Sequence, residues 1–134
     1  MTGPRTRSHP HALLWLLWLA LTLGSARAGT RSPAEEERIA YLISSVAAMS
    51  DAQFIRNGTS YDAKAAAEHL RMKLSFAGGH VKTAEDFIRY CATGSSVSGR
   101  PYQIRLADGQ LVPAAEFLRV KLAQFDHRLD AHGP

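Results

Sequence analysis

Cysteine is nearly absent from this chain: Cys91 is the single one in 134 residues. No intramolecular disulfide can form, even in an oxidising compartment. Long hydrophobic runs are missing too. The longest uncharged apolar stretch, residues 12–23, covers 12 positions, whereas a bilayer-spanning helix needs about 20. There is no Gly-x-Ser-x-Gly elbow, no Ser-x-x-Lys pair, and no phosphate-cradling or dinucleotide-binding glycine loop, so the commonest signatures of serine hydrolases and nucleotide enzymes are excluded and no cofactor is expected. No two histidines lie three residues apart on one helix, the local spacing that a zinc site favours. Internal repeats, low-complexity tracts and charged tails are also lacking.

What is present begins with an export signal. Arg5 and Arg7 precede the apolar run, and Ala26-Arg27-Ala28 offers small residues where a signal peptidase needs them. Residues 1–28 are therefore expected to be cleaved, leaving a single small globular domain over residues 29–134, with its core over about residues 33–130 and no stable membrane span. No cysteine follows the signal to carry a lipid, and Thr6 separates the two arginines, so no twin-arginine signal is formed. The expected location is periplasmic or secreted. Cleavage also changes the charge. Three of the sixteen Lys and Arg leave with the signal and no acid does, so thirteen basic residues face twelve acidic ones at a net charge of +1. Both tryptophans go as well. The basic balance that would suggest nucleic acid or an anionic membrane belongs to the precursor.

The remaining chain predicts a helix-dominated α+β fold: four helices with a small antiparallel sheet of two to three strands. Ser32, Pro33 and Glu35 have the spacing of a capping box with proline in the first turn. Ile39, Leu42, Ile43, Val46 and Met49 then form one apolar stripe, with Tyr41 expected on the opposite face. Residues 53–56 look extended and are followed by Asn57-Gly58, a turn pair tolerant of positive φ. A second helix is expected over residues 61–77, with an alanine-rich face that lets a neighbour approach closely, and Gly78-Gly79 as its stop. Thr83 and Asp86 repeat the capping spacing for a third helix with Ala84, Phe87, Ile88 and Cys91 inward. Residues 102–106 alternate with period two, Asp108-Gly109 is a hairpin turn and Leu111-Val112 a short return strand. Pro113 opens a fourth helix with Leu118, Leu122, Phe125 and Leu129 on one side.

Several segments taken together carry a resemblance. Phe54-Ile55-Arg56-Asn57-Gly58 with Tyr61, Ala66-Ala67, His69-Leu70-Arg71, and Thr83 with Phe87-Ile88 come in order. Ser95-Ser96-Val97-Ser98-Gly99 with Pro101-Tyr102 and the closing Phe117-Leu118 follow. The pattern resembles small exported bacterial proteins of domain-of-unknown-function family 5329, over about residues 39–125. The resemblance implies no activity. It implies one pairing: members with a cysteine before the first phenylalanine and another after the strand would join positions occupied here by Ala52 and Leu106, placing residues 53–56 beside residues 102–106.

Candidate chemistry is sparse. Cys91 sits on an apolar stripe with no cation beside it by sequence spacing, the position of a core residue. Of His69, His80, His127 and His132, the last two share a polar tail with Asp126 and Asp130, and no metal site is expected. His69 lies on the flank of its helix one turn from Lys73, suited to a surface contact. If the two strands pair, Arg56, Asn57, Ser96, Ser98, Arg100 and Tyr102 gather into a patch of donors with one aromatic, able to hold a carboxylate or a sugar. The alternative is that Arg56 and Asn57 hold the loops together. The expected role is thus a non-enzymatic module of the bacterial cell envelope, binding an envelope protein or cell-wall component and no nucleic acid. A small envelope enzyme acting on a cell-wall or sugar substrate is the alternative, and a pocket beside these loops holding a perturbed carboxylate or histidine would favour it. A third role, stabilising a larger assembly, rests on Tyr41 alone.

Overall fold

The structure is a computed structural model that describes residues 30–133. The expected signal, residues 1–28, lies outside the described residues. Helix α1 spans Pro33–Ala47. Ser32 accepts from the Glu35 backbone N–H at 3.3 Å and so caps it. The reciprocal half of the expected capping box is not made. Glu35 turns away and its Oε2 accepts from the Ala84 N–H at 2.7 Å, closing the first turn of another helix. Tertiary contact has claimed a side chain that local spacing assigned to its own helix.

Strand β1 (Gln53–Arg56) and strand β2 (Thr59–Tyr61) form a two-residue hairpin. Asn57 and Gly58 take φ of 53° and 82°, the paired positive values that match the strand twist. Strand β2 ends at Tyr61, where the sequence places the start of the second helix. The hairpin turn sends the chain straight back, and Asp62 rather than Tyr61 begins helix α2 (Ala63–Ala77), accepting from the Ala65 N–H at 2.7 Å. Strands β3 (Gln103–Arg105) and β4 (Leu111–Pro113) complete a four-stranded antiparallel sheet of order β2-β1-β3-β4. The fold is the expected helix-dominated α+β, with one strand more than the sequence suggests. In the β1–β3 register Gln53 faces Arg105 and Phe54 faces Ile104, so Ala52 and Leu106 come next in line, the pairing that the resemblance implies.

Helix α3 (Ala84–Phe87) carries the expected capping box of Thr83 and Asp86. It then widens into a π-helical turn, Ile88–Ala92, where the Thr93 hydroxyl donates to the Ile88 carbonyl five residues back at 2.9 Å. Ile88, Cys91 and Ala92 are all buried along this turn. Helix α4 runs over Ala114–Ala131, so His127 belongs to a helix and not to a polar tail.

The core joins Ile39, Leu42, Ile43 and Val46 of α1 to Ala67 and Leu70 of α2, Phe87, Ile88 and Cys91 of the third helical segment, and Ile104 and Leu118. Burying side chains of this size stabilises by roughly 1.5–3 kcal/mol each. Two parts of the expected pattern change. Tyr41 is not on an outer face: it stacks on Phe125 of α4 at 4.7 Å between centroids, with the Arg128 guanidinium 4.9 Å over its ring. Leu129, expected on the buried stripe of α4, is 48% exposed. Among the described residues no helix is long and apolar enough to cross a membrane.

Candidate functional site

The hairpin, α2 and the π-helical turn enclose a cavity of about 190 Å³. Its wall is apolar: Phe54 and Ile55 from β1, Ala65, Ala66 and Leu70 from α2, Ala92 from the π-helical turn, and Ala114 and Leu118 from α4. The space exists because four of these side chains are single methyl groups. Alanines on α2 therefore do two jobs: Ala63 and Ala67 are buried in the core, where α1 packs closely against α2, while Ala65 and Ala66 leave room on the neighbouring face.

Polar groups line the same cavity. Arg56 sits at the end of β1, Tyr61 at the end of β2, Glu68 and His69 on α2, and Tyr102 just before β3. Arg56 Nη1 lies 3.0 Å from His69 Nδ1 and 3.1 Å from Nε2, and His69 Nε2 lies 3.2 Å from the Tyr102 hydroxyl. Lys73 Nζ, one turn along α2, donates to the Gly94 carbonyl at 2.9 Å and to the Tyr102 hydroxyl at 3.4 Å. Arg56 also lies 5.5 Å over the Tyr61 ring, and Lys73 5.1 Å over the Tyr102 ring.

Guanidinium and ammonium groups only donate, so a ring nitrogen of His69 must offer its lone pair to Arg56, and Tyr102 Oη accepts from Lys73. His69 is accordingly held neutral. Burial, then the positive charges of Arg56 and Lys73, lower its pKa below the usual histidine value. Burial lowers the pKa of Lys73 and raises that of Tyr102. Among the described residues neither Arg56 nor Lys73 lies within 4.0 Å of a carboxylate oxygen.

The six residues singled out from the sequence divide. Arg56 and Tyr102 line the cavity, Tyr102 with its ring buried rather than displayed on a surface. Asn57 and Ser98 form a separate lock: the Ser98 hydroxyl donates to the Asn57 carbonyl oxygen, and the Asn57 amide donates to the Ser95 hydroxyl at 3.3 Å. Ser95 Oγ accepts in turn from the Val97 and Ser98 N–H groups, both at 3.3 Å. Below this loop Gly94 bridges to Pro101, where a Cβ would meet the Arg100 carbonyl oxygen at 2.8 Å. Ser96 and Arg100 are exposed and do not line the cavity. Asn57 thus closes the loop onto Ser95 and Ser98, whereas Arg56 lies against His69 in the cavity wall.

His69 and Lys73 were visible in the sequence as a pair one turn apart, but nothing local showed that β1 would bring Arg56 onto them. Cys91 is fully buried, which raises its pKa, although the fold does bring Lys73 and Arg31 close enough to pull the other way. Among the described residues no three His, Cys, Asp or Glu side chains gather as a metal site would require.

A family of unknown function (DUF5329) matches over residues 33–126. The uncharacterized protein YfeK of Salmonella typhimurium (strain LT2) is 40% identical over 68 residues, which cover 51% of this chain and 57% of that protein. The matched region thus spans less than two thirds of the relative's length. No solved structure matches.

Proposed function

The chain belongs to the family of unknown function DUF5329, and we propose that it acts as an exported, non-enzymatic binding module of the bacterial cell envelope whose ligand enters the cavity between the hairpin and α2. The observation that carries this is the cavity itself: an apolar wall with convergent polar groups at one side, the usual composition of a small-ligand site. Its volume suits one small apolar group, since about 150 Å³ of apolar cavity accommodates benzene. The ligand is then a small molecule, or one side chain of an envelope component.

His69 supports a second reading, the small envelope enzyme. It is a neutral imidazole within a pocket, its pKa lowered by burial and two cations, and a base of that kind is a recognised catalytic group. Binding is preferred because among the described residues no Ser, Thr or Cys lines the cavity and both ring nitrogens are already engaged.

The test is to fill the space. Ala66→Leu, checked for folding by circular dichroism, is compared with the wild-type domain in an NMR screen of small envelope-derived fragments. The expected result is shifts clustered around Ala65, His69 and Tyr102 that the substitution removes. Shifts elsewhere, or shifts that survive the filled cavity, would overturn the binding site. Turnover of a fragment by wild type and not by His69→Gln would favour the enzyme.

A further inference from the structure

We infer that the cavity selects small apolar carboxylates, the anion lying between Arg56 and His69, and that binding takes up one proton at His69. The inference rests on the cavity being a binding site and adds the class of ligand. Its starting point is the unequal treatment of charge at the mouth. Arg56 lines the cavity from β1 and Lys73 of α2 is bonded to the Tyr102 hydroxyl, both partly buried, and their partners are a neutral imidazole, a phenol and a carbonyl. A cation held out of water against neutral acceptors is left with unsatisfied charge. Within the same space the wall is almost wholly hydrocarbon. A ligand that satisfies both features has an apolar body of about one ring and an acidic end.

A sugar fits this less well, since its many hydroxyls need neutral donors and acceptors along the wall, where Phe54, Ile55, Leu70 and Leu118 stand. Arg56, the cation among the described lining residues, has no carboxylate oxygen within 4.0 Å and so is left to pair with an anionic ligand. Arg56 supplies the planar fork that recognises such a group in two parallel hydrogen bonds.

Proton uptake follows from the hydrogen-bond pattern. Without a ligand one ring nitrogen of His69 accepts from Arg56 and therefore carries no proton. A carboxylate inserted between them accepts from Arg56 in place of the ring. The lone pair of that nitrogen is then free, and a proton taken from solvent lets it donate to the ligand. The groups facing His69 are Arg56 and Tyr102, bonded to it, with Glu68 and Lys73 on its own helix, Tyr61 at the end of β2 and Cys91 buried behind Lys73. Of these, only Arg56 must change partner.

The experiment is calorimetric titration of the folded domain with 4-phenylbutyrate and with its uncharged amide, at two pH values and in buffers of different ionisation enthalpy. The carboxylate is expected to bind wild type about tenfold more tightly than the amide, the worth of one charge-assisted hydrogen bond. Its affinity is expected to rise as pH falls through the His69 titration, with about one proton absorbed per ligand. Arg56→Gln is expected to remove the preference for the acid over the amide, and His69→Gln to remove the pH dependence. Equal binding of acid and amide by wild type would overturn the ligand class while leaving the cavity a binding site. Preference without proton uptake would overturn the role of His69. If neither probe shifts the resonances of Ala66 or Tyr102, the cavity is not a site and both proposals fall. The wild-type comparison stands even if a variant does not fold.

Discussion

Charge is handled in opposite ways beside α1 and beside the cavity. Arg31 and Arg38, before and within α1, each have an acid, while Arg128 of α4 stacks on the Tyr41 and Phe125 rings. Arg38 Nε lies 2.9 Å from Asp126 and its Nη1 2.7 Å from Glu35, while Arg31 pairs with Glu36 at 2.8 Å and donates to the Val81 carbonyl at 3.0 Å. Hydrogen bonds to Glu35 and then to Asp126 push the pKa of Arg38 up. At the cavity mouth the cations lean on neutral groups, and burial pushes Lys73 down. The first arrangement is complete in itself and ties helices together. The second is incomplete, and the missing charge is what the proposed ligand would bring.

The largest effect that would sharpen this contrast is at Glu35, whose two carboxylate oxygens serve the Ala84 N–H and Arg38. Glu35→Ala is expected to lower unfolding stability by about 1–3 kcal/mol, the cost of an unmade helix-end hydrogen bond to a charged acceptor. Urea denaturation measures it. A loss below about 0.5 kcal/mol, the size of an ordinary surface change, would mean that the paired end is no more structural than the mouth.

Lys73→Met should do far less. The unbranched apolar chain keeps the packing of the lysine stem and removes a cation that has no acid, at the expense of one donor to the Gly94 carbonyl. The expected change is within about 1 kcal/mol in either direction. A loss beyond about 2 kcal/mol, the scale of a broken buried polar network, would make Lys73 a strut like Arg38 and break the comparison.

The smallest effect concerns pH. The folded pKa of His69 lies below its unfolded value of 6.5, so below that value the unfolded chain binds more protons than the folded one. Stability therefore rises with pH through this window and falls as the solution is acidified. His69→Gln is expected to flatten that slope, read from urea midpoints between about pH 7 and about pH 5. An unchanged slope would show that His69 carries no penalty for ionising.

Particular residues show how far the sequence could be read. The stripe Ile39, Leu42, Ile43 and Val46 repeats at helical spacing and is buried as expected, because a 3.6-residue period leaves one face for the core. Thr83 with Asp86, and Asn57 with Gly58, have the conformations their chemistry favours. Strand β2 escaped because three residues, two of them exposed, carry no apolar period. Its existence follows from the turn before it. Glu35 was placed in a local box and serves another helix. Tyr41 was placed outside and packs on Phe125, a residue 84 positions away.

Local physics in the sequence thus determined the four helices, the Ser32 and Thr83 caps, the turn between β1 and β2 and the single buried thiol, since each rests on residues within a few positions of one another. The site was decided only by the tertiary structure. Arg56 lies in β1, His69 and Lys73 in α2 and Tyr102 just before β3, and their meeting depends on the hairpin folding back over α2 and on β1 pairing with β3. A hydrogen bond between residues 13 or 33 positions apart leaves no period or spacing in the chain. It is fixed by packing alone, and with it the space and the unmatched charge that the ligand would fill.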